Sequence, residues 1–184
     1  DMLEYVMLSN FAKDSTIVNL EKVFTTINKV LQDDSISETI KNDLLTSFNV
    51  GNNSLTSLTV TNNTALVDLN LESNNVSSLN LSTLSNLTTL HASNNALTTL
   101  DISNNSNLIT IYAAVNGMTD ITMPNSVNVT KTYRLDLADN ALTQTSVNDI
   151  LQKVDSYPTP TGTNMTDKWI NLSGGTNAAP SGAG

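Results

Sequence analysis

His91 is the only histidine in the chain; Ser93 lies two residues on and Asp68 lies upstream, so a Ser–His–Asp set can be drawn. That chemistry needs the hydroxyl and the imidazole within ~2.6–3.2 Å of each other. Residues i and i+2 of a strand sit about 6.5–7 Å apart, so a strand carrying His91 and Ser93 holds them out of reach. Two carboxylate pairs, Asp68 with Glu72 and Asp136 with Asp139, could attract a cation. Calcium requires about 6–8 oxygens, and no D-x-D-x-D-G series is present, so these read as solvated charges. The chain has no Cys, which removes thiolate metal sites, disulfides and Cys nucleophiles. No catalytic residue, metal or cofactor is expected. What remains is Tyr112 and the single Arg134, residue types that anchor interfaces, in a polar chain.

The 184 residues suit one domain or one elongated array. Charged residues are 14%, and uncharged polar ones take their place: 27 Asn, 26 Thr and 20 Ser. The net charge is −9, with 7 Lys spread along the sequence. Phosphate backbones are bound through clustered Lys and Arg, so nucleic acid is excluded as a partner, and anionic membrane with it. No apolar run approaches the ~18 residues of a membrane span, so membrane insertion is excluded too. The first residue is Asp1 and the last residues are Ser-Gly-Ala-Gly, from which the chain is expected to be a piece of a longer one.

The 24 Leu are not scattered. The series Leu-x-x-Leu-x-Leu-x-x-Asn runs through Leu66, Leu69, Leu71, Asn74 and recurs at Leu87, Leu90, Ala92, Asn95 and at Leu108, Ile111, Ala113, Asn116. Leu45, Phe48, Val50, Asn53 fit the same frame, and the starts at 45, 66, 87 and 108 are each 21 apart. A fifth copy, Leu135, Leu137, Asn140, follows a three-residue slip between Pro124 and Lys131. Between these series lie second halves such as Leu97, Leu100, Ile102. Alternate residues of a strand share a face, so the Leu-x-Leu pairs point inward. One rung cannot bury them alone; stacking at about 4.8 Å per rung gives a continuous thin core. Asn53, Asn74, Asn95, Asn116 and Asn140 fall where the chain bends, and an amide there satisfies backbone groups of adjacent turns. They are read as a structural ladder.

These residues resemble leucine-rich repeat proteins, over roughly 44–142. The stretch Leu87 to Asn105 is similar to the 21-residue bacterial class, LxxLxLxxNxLxxLDL, with Asp101 in the LDL position. The resemblance implies an α/β solenoid of about five rungs with short parallel strands. It does not imply a ligand, because function is grafted on such folds.

Both ends depart from the repeat. Ile17, Leu20, Val23, Phe24, Ile27, Val30 and Leu31 recur at helical spacing, and Ser35-Ile-Ser-Glu38 reads as a capping box. Residues 1–44 are expected to form a helical N-terminal cap, 45–142 the repeats, and 143–184 a C-terminal helix, loop and final strand. Val147, Ile150, Leu151 and Val154 mark that helix, and Lys168 to Leu172 that strand. Trp169 is read as packing against the helix. Ser-Val-Asn-Asp-Ile-Leu and residues 171–184 resemble a module of phage structural, tail-fibre-like and bacterial surface proteins, which implies an extracellular place on a virion or cell surface.

If the first half of each repeat forms the ordered sheet, its outward residues form columns. One is Asn49, Asn70, His91, Tyr112, Asp136; its neighbours are Ser47, Asp68, Thr89, Thr110, Arg134 and Gly51, Glu72, Ser93, Ala114, Ala138. The opposite face (Thr59, Asn80, Asp101, Thr122) is small and monotonous. A recognition face at Asp68, Asn70, Glu72, His91, Tyr112, Arg134 and Asp136 is therefore expected, for a protein or cell-surface glycan. The alternative is a structural spacer whose termini contact neighbouring subunits of a larger assembly.

Overall fold

A computed structural model describes residues 45–128, 133–157 and 168–180. The expected N-terminal helical cap, with everything else assigned to residues 1–44, lies outside the described residues, as does the loop after Tyr157.

The 21-residue repeats fold as a parallel β-solenoid. Strands β1 (Ser47–Asn49), β2 (Asp68–Asn70), β3 (Thr89–His91), β5 (Thr110–Tyr112), β7 (Tyr133–Asp136) and β8 (Lys168–Asn171) form one parallel sheet in the order β1-β2-β3-β5-β7-β8. Among the described residues this sheet has six strands, the expected C-terminal strand continuing the stack. A smaller parallel pair, β4 (Thr99–Asp101) with β6 (Asp120–Thr122), lies in the second halves. The register is that of the repeat: Leu69 pairs with Leu90 and Leu90 with Ile111. Ile111 then pairs with Leu135, the slip being absorbed between the strands.

Alternation explains burial. The middle residue of each short strand points inward, so Phe48, Leu69, Leu90, Ile111 and Leu135 are buried in one column. Leu66, Leu71, Val76, Leu87, Leu97 and Leu108 close the core around it. Each such side chain contributes roughly 1.5–3 kcal/mol by leaving water, but only if a neighbouring rung covers it.

The bends are made the same way each time. Asn52, Ser73, Asn94, Val115 and Asp139 adopt positive φ, 53–59°. Asn and Asp tolerate this conformation. Val115, exposed and β-branched, holds it at a cost of about 1–2 kcal/mol. In the last rung the bend passes to Gly174 and Gly175; a Cβ on Gly175 would sit 2.4 Å from the Asn140 carbonyl oxygen, so no other residue fits.

Inside each bend stands the asparagine. The Asn74 Nδ2 donates to Leu71 O and, one rung back, to Val50 O, both at 2.9 Å, while its Oδ1 accepts from Leu55 N at 3.0 Å. Asn95, Asn116 and Asn140 repeat this, accepting from Val76, Leu97 and Met118 N. Asn53 donates to Val50 O and Gly51 O of its own rung. Two members were not foreseen. Asn177 donates to Leu137 O and Leu172 O and accepts from Leu142 N. Asn105, fully buried, donates to Leu81 O and Leu84 O in the second bend.

Helix α1 (Gln144–Ser156) is the one helix among the described residues. Thr143 caps it, accepting from Ser146 N, and Val147, Ile150 and Val154 face the core. It is neither long nor apolar enough to cross a membrane. At its C-terminal end the Lys168 Nζ donates to Val154 O and Tyr157 O. This places the cation on the free carbonyls, where the helix dipole favours it.

Candidate functional site

The in-register sheet converts the repeat into columns on its outer face. Asn49, Asn70, His91, Tyr112, Asp136 and Asn171 form the central one. Ser47, Asp68, Thr89, Thr110, Arg134 and Trp169 form the second. Backbone bonds to the carbonyls of Glu72, Ser93, Ala114, Ala138 and Ser173 align the third. All seven candidate residues (Asp68, Asn70, Glu72, His91, Tyr112, Arg134, Asp136) therefore share one surface. Within it Asp68 lies beside Thr89, a column away from His91. Ser93 Oγ accepts from Ala114 N at 3.1 Å.

Trp169 corrects the sequence reading. It is 46% exposed and stands beside Arg134 in the outer column, not against α1. The reason is strand parity. Ile170 and Leu172 pack against the core, and Trp169, one residue before Ile170, must point the other way.

The central column obeys a rule. Asn49, Asn70, Asp136 and Asn171 each accept from the backbone N–H two residues on, at 3.0, 2.9, 3.1 and 3.1 Å. Asn80 and Asp101 do the same on the opposite face. There the Ser103 hydroxyl, then the Ser103 amide, hold the Asp101 carboxyl below the usual range. These side chains thus serve the turn after each strand. His91 and Tyr112 break the rule, since neither ring can make that bond. They are adjacent, with ring centroids 5.1 Å apart and planes tilted by 36°. Both rings are half-buried; on their own rungs the neighbours are the small Thr89, Thr110, Ser93 and Ala114, and Asn70 and Asp136 flank the pair along the column. Arg134 is exposed on the next rung, and among the described residues it makes no ion pair. The individual candidates were open to sequence reading, but the broken rule needed the bond pattern.

No described protein family and no curated protein matches the chain. Among solved structures it is similar to the functional domain of InlJ from Listeria monocytogenes, which includes a cysteine ladder. Identity is 20% and the TM-score 0.45, over 74% of this chain and 32% of that one. The chain thus spans about a third of that protein's length.

Proposed function

We propose that this chain is a non-catalytic binding or adhesion module, with repeats of the 21-residue bacterial class, recognising a protein or a glycan through the outer face of the main sheet. Its place would be the outside of a bacterial cell or a phage virion, as the C-terminal resemblance implies. One observation carries the reading. At two adjacent positions of the central column the turn-serving Asn or Asp is replaced by a ring, and the two rings touch. Folding alone favours the amide at 91, where it would satisfy the Ser93 N–H, while at 112 the Ala114 N–H already meets Ser93 Oγ; aromatic side chains supply large contact area at low entropy cost. Arg134, Asp136 and Trp169 on the following rungs extend the same face.

A second reading has its own observation. At the C-terminal end a groove of about 420 Å³ is lined by Val147, Leu151, Ile170, Leu172 and Ala178. Leu151 is exposed beside it. An assembly subunit would make its contacts there.

Binding of the labelled chain to intact cells separates the two. A Tyr112→Ala, Arg134→Ala double variant, both positions lying outside the core, is expected to bind at least tenfold less. Equal binding by wild type and variant would move the site to the ends.

A further inference from the structure

We infer that the partner of this face is a neutral linear glycan lying along the solenoid axis; this rests on the recognition reading above. The first argument is periodicity. Rungs follow one another at about 4.8 Å, whereas an extended peptide presents same-side residues about every 6.6–6.8 Å. A peptide laid across the strands falls out of step after one rung. A pyranose with its glycosidic oxygen advances by close to one rung, so successive sugars stay in step with successive rungs.

The second argument is the chemistry of those positions. The rings of His91 and Tyr112, 5.1 Å apart and half-buried, offer apolar surface on adjacent rungs of the column. The C–H face of a sugar packs on such a surface, while its rim of hydroxyls needs donors and acceptors. Asn70, Asp136 and Asn171 supply them. Each commits one oxygen to its own turn, which leaves the Nδ2 of both asparagines and the second carboxylate oxygen of Asp136 for a ligand.

The third argument is charge. With a net charge of −9 and three carboxylates on the face, Asp68, Glu72 and Asp136, against the one guanidinium of Arg134, an anionic polymer is disfavoured. A neutral one is not.

Calorimetric titration of the whole chain with cellopentaose, chitopentaose, mannopentaose and pentagalacturonate tests this, beside a Tyr112→Asn variant that keeps the turn chemistry of the column. At least one neutral pentamer should bind. Its affinity should rise at least tenfold from the monosaccharide to the trimer and fall at least tenfold in Tyr112→Asn, and pentagalacturonate should bind at least tenfold more weakly. Binding of no neutral pentamer, equal binding by the variant, or preference for the acidic pentamer would overturn the glycan proposal. Cell binding tells its failure from that of the recognition reading. Tyr112-dependent binding that survives periodate treatment of the cells but not protease treatment would overturn the glycan and keep the face. Binding independent of Tyr112 would overturn both.

Discussion

Asn140→Ala is expected to lower stability by roughly 2–4 kcal/mol, more than any surface change on the recognition face. The Asn140 Nδ2 donates to Ala113 O at 3.1 Å, Leu137 O at 2.9 Å and Ala138 O at 3.2 Å, and its Oδ1 accepts from Met118 N at 3.1 Å. The side chain is 3% exposed, so water cannot replace it. A buried group left without a partner costs about 1–3 kcal/mol; alanine orphans the Met118 amide and takes one of two donors from Ala113 O, Leu137 O and Ala138 O, which keep the Asn116 amide, the Asn177 amide and the Val115 N–H. Asn140→Asp should be no milder. It keeps the acceptor for Met118 but sets a carboxylate against three carbonyl oxygens. Because each rung contacts only its neighbours, the damage should be local at first, with amide protection falling around β5, β7 and the start of α1 before β2 and β3. Urea unfolding and hydrogen exchange measure both. A loss below about 1 kcal/mol would mean the ladder is not what joins the rungs.

The second large effect is alkaline. Tyr133 is buried, its hydroxyl has no partner among the described residues, and its ring meets Tyr157 edge-on at 5.5 Å. Burial, then the neighbouring Tyr157, hold the Tyr133 phenol far above its ordinary pKa, and burial pushes Tyr157 up to about 12. Both folded values are raised above the unfolded value near 10. The folded chain therefore keeps protons that the unfolded chain releases. Stability is intact below pH ~10 and is lost as the pH climbs from there toward the folded values. Tyr133 alone gives a slope that approaches about 1.4 kcal/mol per pH unit above pH 10, hence about 2 kcal/mol between pH 10 and 12. Tyr157, whose hydroxyl donates to Pro124 O, acts in the same direction. Tyr133→Phe should remove most of that slope. At pH 7 it should be no less stable than the wild type, since the hydroxyl it deletes is unsatisfied. Thermal melts at pH 8, 10 and 11.5 test this. The same alkaline loss in Tyr133→Phe would contradict it.

Much of this architecture was legible in the residues. A hydrophobic frame locked at 21 is hard to satisfy except by stacked rungs, and it fixes which residues face outward as soon as strand parity is applied. Parity was not applied to Trp169, although it precedes Ile170 and Leu172 on the expected strand. Asn177 was missed because the Gly174–Gly175 turn sets it two residues later than the ladder spacing. Asn105 occupies an inward position of the second bend, in phase with Asn63 and Leu84, a quieter repeat than that of the leucines. The difference between His91 or Tyr112 and their column neighbours was visible as variety alone. Its meaning depends on a hydrogen bond that Asn70 and Asp136 make and a ring cannot.

That difference is also the most direct test of the account. In a His91→Asn, Tyr112→Asn double variant the amide at 91 gains reach to the Ser93 N–H, a bond of roughly 0.5–1.5 kcal/mol. The lost ring contact is of similar size, so the melting temperature should stay at or above that of the wild type. Binding to intact cells should fall at least tenfold, while Thr122→Asn on the opposite face should bind as wild type. A double variant that is as stable as the wild type and binds equally well would show that the sheet face is only a wall of the solenoid.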